Sequence, residues 1–290
     1  MTAPRRNHVA CAGPTGGHRM SWLEWGAADN PEVLLCIHGL TRCGRDFDYL
    51  ASVMSHRYRV VCPDLVGRGD SDWLQQPQHY NLQQYLSDVT TLLAHLAVDR
   101  VDWLGTSLGG IIGMTLAAQG ADAPVRRLIL NDIGAQLGAA SLQRIAAYLD
   151  EQREFDSLAQ AEAHFRDIYA PFGAMSDEQW RTFTASSVKT AANGKLQLHH
   201  DPAIAVAFRN EAAARDSDAD IDLWSLYDAI VCPTLVVRGE NSDLLTTATV
   251  AAMRQRGPRA EAVQMPGVGH APMFNTAAQL APLQDFLQRR

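Results

Sequence analysis

The sequence lacks the features of membrane proteins and of nucleic-acid-binding proteins. No apolar stretch approaches the roughly 18 residues that a membrane-spanning helix needs. No run of basic residues is longer than two, and the formal net charge of the 290-residue chain is −7. Nucleic acids and anionic membranes are therefore unsuitable partners, because both are bound mainly through positive charge.

Cysteine is scarce, and its spacing is irregular. The five cysteines are an odd number and contain no C-x-x-C pair, so neither a disulfide framework nor a zinc site is expected. The one pair of adjacent histidines, His199-His200, directly precedes Asp201-Pro202, which is typical of a helix start rather than of a metal site. The N-terminal residues lack the apolar core of a secretion signal. We expect a cytoplasmic protein without a metal.

Short apolar runs alternate with helical patterns along most of the chain. Strands are predicted at 32–39, 58–65, 101–105, 126–133, 233–240 and 260–265, and helices at 81–97, 109–119, 246–257 and from about 276. Strands separated by helices imply crossover connections. The pattern therefore predicts an α/β fold with a mainly parallel sheet covered by helices on both faces.

Residues 134–228, called the insertion below, break this alternation. Four helical patterns are found there, at 141–152, 157–169, 176–187 and 201–214, without a convincing buried strand. The insertion has 15 acidic and 8 basic residues, whereas the rest of the chain has 17 of each. We predict a helical cap with a solvated acidic surface and an apolar pocket beneath it, on a core formed by residues 1–133 and 229–290.

The segment VDWLGTSLGG places a serine between a predicted strand and a predicted helix. A very tight turn from strand to helix makes Ser107 project above the edge of the sheet and requires small neighbours, which Gly105 and Gly109 provide. We therefore predict that Ser107 is a nucleophile.

A serine hydroxyl needs a base, and the base needs an acidic partner. His270 is the best candidate base because it lies in a turn-rich loop directly after a predicted strand. Two residues could be the acid. Asp243 follows the penultimate strand and gives the chain order serine, aspartate, histidine; it is the preferred candidate. Asp132 closes the strand after the nucleophile's helix and is the alternative acid.

Two backbone amides are expected to stabilise the oxyanion of the reaction. The amide of Leu108 lies at the start of the nucleophile's helix, where unpaired N–H groups favour negative charge. The amide of Leu40 is the second candidate, because Gly39 lets the loop turn toward the serine. His38 is expected to brace this loop.

Two arginines in the same loop are candidate contacts for a substrate carboxylate. Arg42 and Arg45 could bind such a group, but surface pairs with Asp46 or Asp48 are the favoured interpretation.

The motifs HGLTRCGRDF, PDLVGRGDSDW, GTSLGG, RGENSDLL and PGVGHAP, in this order, resemble the α/β-hydrolase superfamily over nearly the whole chain. The resemblance implies an eight-stranded, mostly parallel sheet, a helical cap, and a triad of Ser107, His270 and Asp243. A serine at the nucleophile position differs from the epoxide hydrolase and haloalkane dehalogenase branches, which have aspartate there.

The expected activity is hydrolysis of small to medium carboxylic esters through an acyl-enzyme, without a cofactor. Alternatives on the same residues are a carbon-carbon bond hydrolase, an amidase, an acyltransferase or a hydrolase of hydroxyalkanoate oligomers. A ligand receptor without catalysis is the alternative from another class.

Overall fold

The computed structural model describes residues 3–149, 153–213 and 219–289. The strands are β1 (Arg5–Cys11), β2 (His18–Trp25), β3 (Val33–Ile37), β4 (Arg59–Pro63), β5 (Val101–Thr106), β6 (Val125–Asn131), β7 (Gln136–Leu137), β8 (Glu154–Phe155), β9 (Val188–Thr190), β10 (Leu196–Leu198), β11 (Ile221–Asp222), β12 (Thr234–Gly239) and β13 (Glu261–Met265). The helices are α1 (Asp48–Met54), α2 (Leu82–Leu96), α3 (Leu108–Ala117), α4 (Ala139–Leu149), α5 (Leu158–Ile168), α6 (Asp177–Ser187), α7 (Ala203–Ala213), α8 (Trp224–Asp228), α9 (Thr247–Met253) and α10 (Ala277–Gln288).

The main sheet has eight strands in the order β1-β2-β4-β3-β5-β6-β12-β13. The six strands from β4 to β13 pair in parallel, and β1 and β2 form an antiparallel hairpin that adds to the β4 edge. The prediction of a mostly parallel eight-stranded sheet flanked by helices is therefore confirmed. The hairpin is the part that the alternation of strands and helices did not predict.

Both faces of the sheet are buried against helices. In β5, Trp103 packs into an apolar cluster with α2 and α3, whereas the next residue, Leu104, packs into a second cluster with α10. This alternation is the normal consequence of side chains pointing to opposite faces along a strand. No helix among the described residues is both long and apolar enough to span a bilayer.

The insertion lies between β6 and β12 and is mainly helical. It also contains short strands, which pair as β8-β10-β9 and as β11-β7. These strands were not predicted, because two or three residues are too few to show a period. The helices predicted at 157–169 and 176–187 correspond to α5 and α6. Of the helices predicted at 141–152 and 201–214, residues 150–152 and 214 lie outside the described residues.

Candidate active site

Ser107 lies in a sharp turn between β5 and α3. Its φ of 51° and ψ of −113° belong to a backbone conformation that residues other than glycine rarely adopt. A Cβ on Gly105 would lie 2.2 Å from the carbonyl oxygen of Gly109, and a Cβ on Gly109 would lie 2.2 Å from the carbonyl oxygen of Ile37. The turn thus requires both glycines, for the reason that the sequence pattern suggested.

The loop after β3 lies beside this turn and is fixed by His38. The His38 ring is fully buried, and burial lowers its pKa to about 3, so it is neutral at physiological pH. Its Nε2 accepts a hydrogen bond from the Leu65 amide at 2.9 Å, so its Nδ1 carries the proton and donates to the carbonyl of Gly39 at 2.7 Å. This pair of hydrogen bonds sets the path of the backbone that leads into Leu40.

His270 is paired with Asp132. The Nδ1 atom of His270 lies 2.8 Å from Oδ2 of Asp132, and the Asp132 side chain is fully buried. Asp132 also accepts hydrogen bonds from the amide of Gly239 at 2.8 Å and from the hydroxyl of Ser242 at 2.5 Å. These donors hold the carboxylate on the side of the site where the imidazole lies.

The structure differs from the preferred prediction for the acid, because Asp243 is paired with Arg144 instead. The Nη2 of Arg144 donates to Oδ1 of Asp243 at 2.8 Å, and the two side chains are 45% and 50% exposed. The side chain of Ser242 turns inward to Asp132, while the hydroxyl of Ser141 on α4 binds the carbonyl of Asp243 at 2.6 Å. These contacts direct Asp243 outward to the insertion. Chain order could not separate the candidates, because both aspartates lie between Ser107 and His270.

The two arginines of the loop after β3 have different surroundings. Arg42 is buried: it pairs with Asp46 at 2.6 Å, donates to the hydroxyl of Ser187 in the insertion at 2.6 Å, and lies 3.7 Å from the ring centre of Phe183. The pairing was predicted, but its placement at the surface was wrong, because the insertion covers it. Arg45 is exposed and donates to Asp48 at 2.6 Å.

A cavity of about 220 Å³ between the core and the insertion is lined by five of the predicted site residues. Ser107 and His270 line it together with Leu40, Leu108 and Arg42. The rest of its wall is mostly apolar and comes from both parts of the chain; examples are Ile111, Ile133, Leu137, Leu142, Ile145, Phe172, Ile204 and Phe208.

Several polar residues of the cavity wall were not among the predicted site residues, and three of them come from one segment of the chain. Tyr80, Asn81 and Tyr85 line the cavity from the turn before α2 and from α2 itself. The hydroxyl of Tyr80 also donates to the buried carboxylate of Asp201 at 2.5 Å and so connects the core to the insertion. Nothing in their spacing distinguishes them from ordinary residues of an amphipathic helix.

A second cavity of about 200 Å³ adjoins the first one. Tyr169, Phe172 and His270 line both cavities, and Arg144 and Asp243 line only the second. His270 therefore stands between an apolar chamber that contains Ser107 and a more polar one that contains an exposed ion pair.

One buried cluster in the described part of the chain has side chains of the types that bind metals. Ligand atoms of Cys11, His18 and Asp88 lie within 4.8 Å of one another. Nε2 of His18 is 2.9 Å from Asp88, which also accepts a hydrogen bond from Gln84 at 2.7 Å. These contacts attach the β1-β2 hairpin to α2 and account for the cluster as part of the core.

Comparison with known proteins agrees with this geometry. The profile of the alpha/beta hydrolase family matches residues 34–283. The chain belongs to this family. Among alpha/beta hydrolases of known structure, one from Novosphingobium aromaticivorans superposes with a TM-score of 0.88 at 33% identity, over 100% of both chains. A Rickettsia typhi protein superposes with a TM-score of 0.90 at 32% identity, also over 100% of both chains.

A curated relative gives information on the reaction. A 3-hydroxybutyrate-oligomer hydrolase of Cupriavidus necator is 46% identical over 287 residues, which cover 98% of each chain. Units of 3-hydroxybutyrate are joined to one another by ester bonds. The family and this relative confirm the prediction that the chain is an enzyme, a hydrolase, and the predicted cleavage of carboxylic esters agrees with the ester-linked substrate of the relative.

Proposed function

We propose that this alpha/beta hydrolase cleaves short oligomers of 3-hydroxybutyrate by means of Ser107, His270 and Asp132. The observation that carries the proposal is the 2.8 Å contact between His270 and Asp132 at the border of the cavity that contains Ser107. A buried carboxylate that accepts the Nδ1 proton leaves Nε2 of the imidazole as the base.

The reaction begins when His270 takes the proton of the Ser107 hydroxyl. The oxygen attacks the ester carbonyl, and the amides of Leu40 and Leu108 donate hydrogen bonds to the oxyanion that forms. His270 then returns the proton to the leaving alcohol, and an acyl group remains on Ser107. In the second half, His270 takes a proton from water, and the hydroxide attacks the acyl carbonyl. The bond to the Ser107 oxygen then breaks, His270 returns the proton to this oxygen, and the acid is released.

Two observations support this substrate, one on the cavity and one on a relative. A unit of 3-hydroxybutyrate has a methyl group and a short aliphatic chain, which suit walls formed by residues such as Ile111, Leu142 and Phe208. The relative that is 46% identical is a hydrolase of these oligomers. In this proposal the insertion is a cap over the ester, the partner is a small-molecule ester, and the enzyme is cytoplasmic, in keeping with its free cysteines.

The test combines labelling with product analysis. A fluorophosphonate should modify Ser107, and Ser107→Ala should lower kcat on a short neutral ester by about 10⁶-fold. Ser52→Ala is the matched control, because the hydroxyl of Ser52 donates to the carbonyl of Tyr49 within α1 and the residue lines neither of the two cavities. Mass spectrometry of a 3-hydroxybutyrate trimer digest should show shorter oligomers and monomer.

Other outcomes would point to the alternative activities. Full activity of Ser107→Ala, or labelling at another residue, would refute the triad. Release of products from amides or from carbon-carbon substrates in preference to esters would reassign the reaction. Transfer of the acyl group to an alcohol in preference to water would indicate an acyltransferase, and binding without turnover would indicate a receptor.

A further inference from the structure

His270 lies between the two cavities, so the two parts of a bound ester are expected to occupy different cavities. In acyl transfer the histidine protonates the leaving alcohol, so the leaving group must lie on the histidine's side of the attacked carbonyl. The cavity that His270 shares with Arg144 and Asp243 is on that side. The apolar cavity with Ser107 then receives the acyl part.

The chemistry of a hydroxy-acid oligomer gives these two parts different charges. Each unit uses its hydroxyl to esterify the carboxyl group of the unit before it. When a bond is cut, the acyl part that stays on the serine is neutral, and the leaving alcohol carries the free carboxylate of the chain. At the last bond, this carboxylate is separated from the leaving oxygen by a short carbon chain.

Arg144 is a suitable partner for that carboxylate. Its guanidinium has five N–H donors, and the contacts with Asp243 use the edge formed by Nε and Nη2. No contact of Arg144 within the described part of the chain uses Nη1, so this edge remains for a second carboxylate, and the side chain is 45% exposed within the wall of the cavity. Arg42, the other arginine at the site, is committed to Asp46 and Ser187 and is covered by Phe183.

We propose that Arg144 binds the terminal carboxylate of the oligomer and makes the enzyme prefer cleavage of the bond nearest that end. Asp243 orients Arg144, and its carboxylate competes with the substrate carboxylate for the positively charged guanidinium of Arg144. The inference rests on the proposed function and makes its substrate more specific. It also explains how an acidic protein with a net charge of −7 accepts an anionic substrate.

The test compares a charged substrate with its neutral analogue. We would measure kcat/KM for the linear 3-hydroxybutyrate dimer and for its methyl ester, following cleavage of the internal ester bond in both. Arg144→Gln should lower kcat/KM for the free acid by about 10- to 100-fold, mainly through KM, because a hydrogen-bonded charge pair is lost. The value for the methyl ester should change less than about twofold. Arg144→Lys should restore part of the preference, because it retains the charge without the planar edge.

The matched control is Arg256→Gln. Arg256 has a 46% exposed side chain, is paired with Asp228, and does not line either of the two cavities. This variant should keep the wild-type ratio between the two substrates. Asp243→Asn should raise kcat/KM for the free acid by up to about fivefold, because the competing carboxylate is removed from an exposed pair.

The outcomes separate this inference from the proposed function. An equal effect of Arg144→Gln on both substrates, or no effect on either, overturns the role of Arg144 while turnover at Ser107 stands. If the wild-type enzyme cleaves neither substrate whereas simple esters are hydrolysed at Ser107, the oligomer is the wrong substrate. Lower activity of Asp243→Asn on the free acid would also contradict the proposed competition.

Discussion

The core and the insertion contribute to the site in different ways. The core supplies the groups of the proposed mechanism, and it fixes them through the backbone: Ser107 and Asp132 both have positive φ values, and glycines allow the close contacts at the turn. The insertion supplies mainly apolar walls. It is joined to the core by side-chain contacts such as those from Arg42 to Ser187 and from Arg144 to Asp243, and by a few backbone hydrogen bonds such as that from the Asp201 amide to the Gly67 carbonyl at 2.8 Å.

This difference implies that chemistry and selectivity are separable. A change in the core alters the position of the reacting atoms, whereas a change in the described part of the insertion alters which substrate fits. The three predictions below compare the two regions, the first in catalysis and the other two in stability.

The largest effect is expected from the two aspartates. Asp132→Asn should reduce kcat on a short neutral ester by about 10⁴-fold, because an amide at that position favours the wrong tautomer of His270. Asp243→Asn should change kcat on the same ester by less than about twofold, because its partner is Arg144. Steady-state kinetics of the two variants provide the comparison. A greater loss in Asp243→Asn would show that Asp243 is the acid after all.

A smaller effect is expected at the buried link between core and insertion. Arg42→Met leaves the carboxylate of Asp46, only 12% exposed, without its partner. Loss of one member of a buried ion pair should lower the free energy of unfolding by about 3–5 kcal/mol. Arg45→Met removes an exposed pair and should cost less than about 1 kcal/mol. Urea unfolding measures both variants. Equal values would mean that the insertion does not depend on this link.

The smallest effect concerns the pH dependence of stability. Unfolded His38 binds a proton below its ordinary pKa of 6.5, whereas folded His38 stays neutral to about pH 3, so acid favours unfolding below pH 6.5. Protonation of His38 in the unfolded state should lower the free energy of unfolding by about 2 kcal/mol as the pH falls from 7 to 5. Urea titrations at pH 7 and pH 5 measure this difference. In His38→Gln the free energy of unfolding should fall by about 2 kcal/mol less between the two pH values than in the wild type.

His200 in the insertion is the comparison for His38. Burial, with the positive charge of Arg68, lowers the pKa of His200 to about 3 as well, but its side chain is less completely buried. Because both folded pKa values lie well below pH 5, His200→Gln should flatten the pH dependence by a similar amount, but it should leave kcat on a short ester unchanged. His38→Gln should lower kcat, because it releases the loop that leads to Leu40. An unchanged kcat in His38→Gln would contradict that role.

Local patterns predicted the features that local constraints produce. The parallel strands were predictable, because strands buried on both faces are apolar runs bounded by turn residues. The turn at Ser107 was predictable, because only glycine fits at positions 105 and 109.

The acid could not be chosen from the sequence, since the choice depends on how neighbouring strand ends meet. β6 and β12 pair in parallel, so Asp132 and Asp243 follow adjacent strands at the same edge of the sheet. Tertiary contacts separate them, among them the hydrogen bond of Ser242 to Asp132, that of Ser141 to the Asp243 carbonyl, and the pairing of Arg144 with Asp243. Likewise, the short strands of the insertion and the contribution of Tyr80 depend on tertiary contacts.

The hydrogen bonds of Asp132 also have a consequence for the order of events during synthesis. Its carboxylate joins the end of β6 to groups 107, 110 and 138 residues later in the chain, on Gly239, Ser242 and His270. A ribosome that has released residues 1–230 has produced the proposed nucleophile and the two amides proposed to bind the oxyanion, but neither the proposed base nor the donors that hold Asp132. On the proposed mechanism, we therefore expect the nascent chain to have no esterase activity until its last strands have emerged and docked.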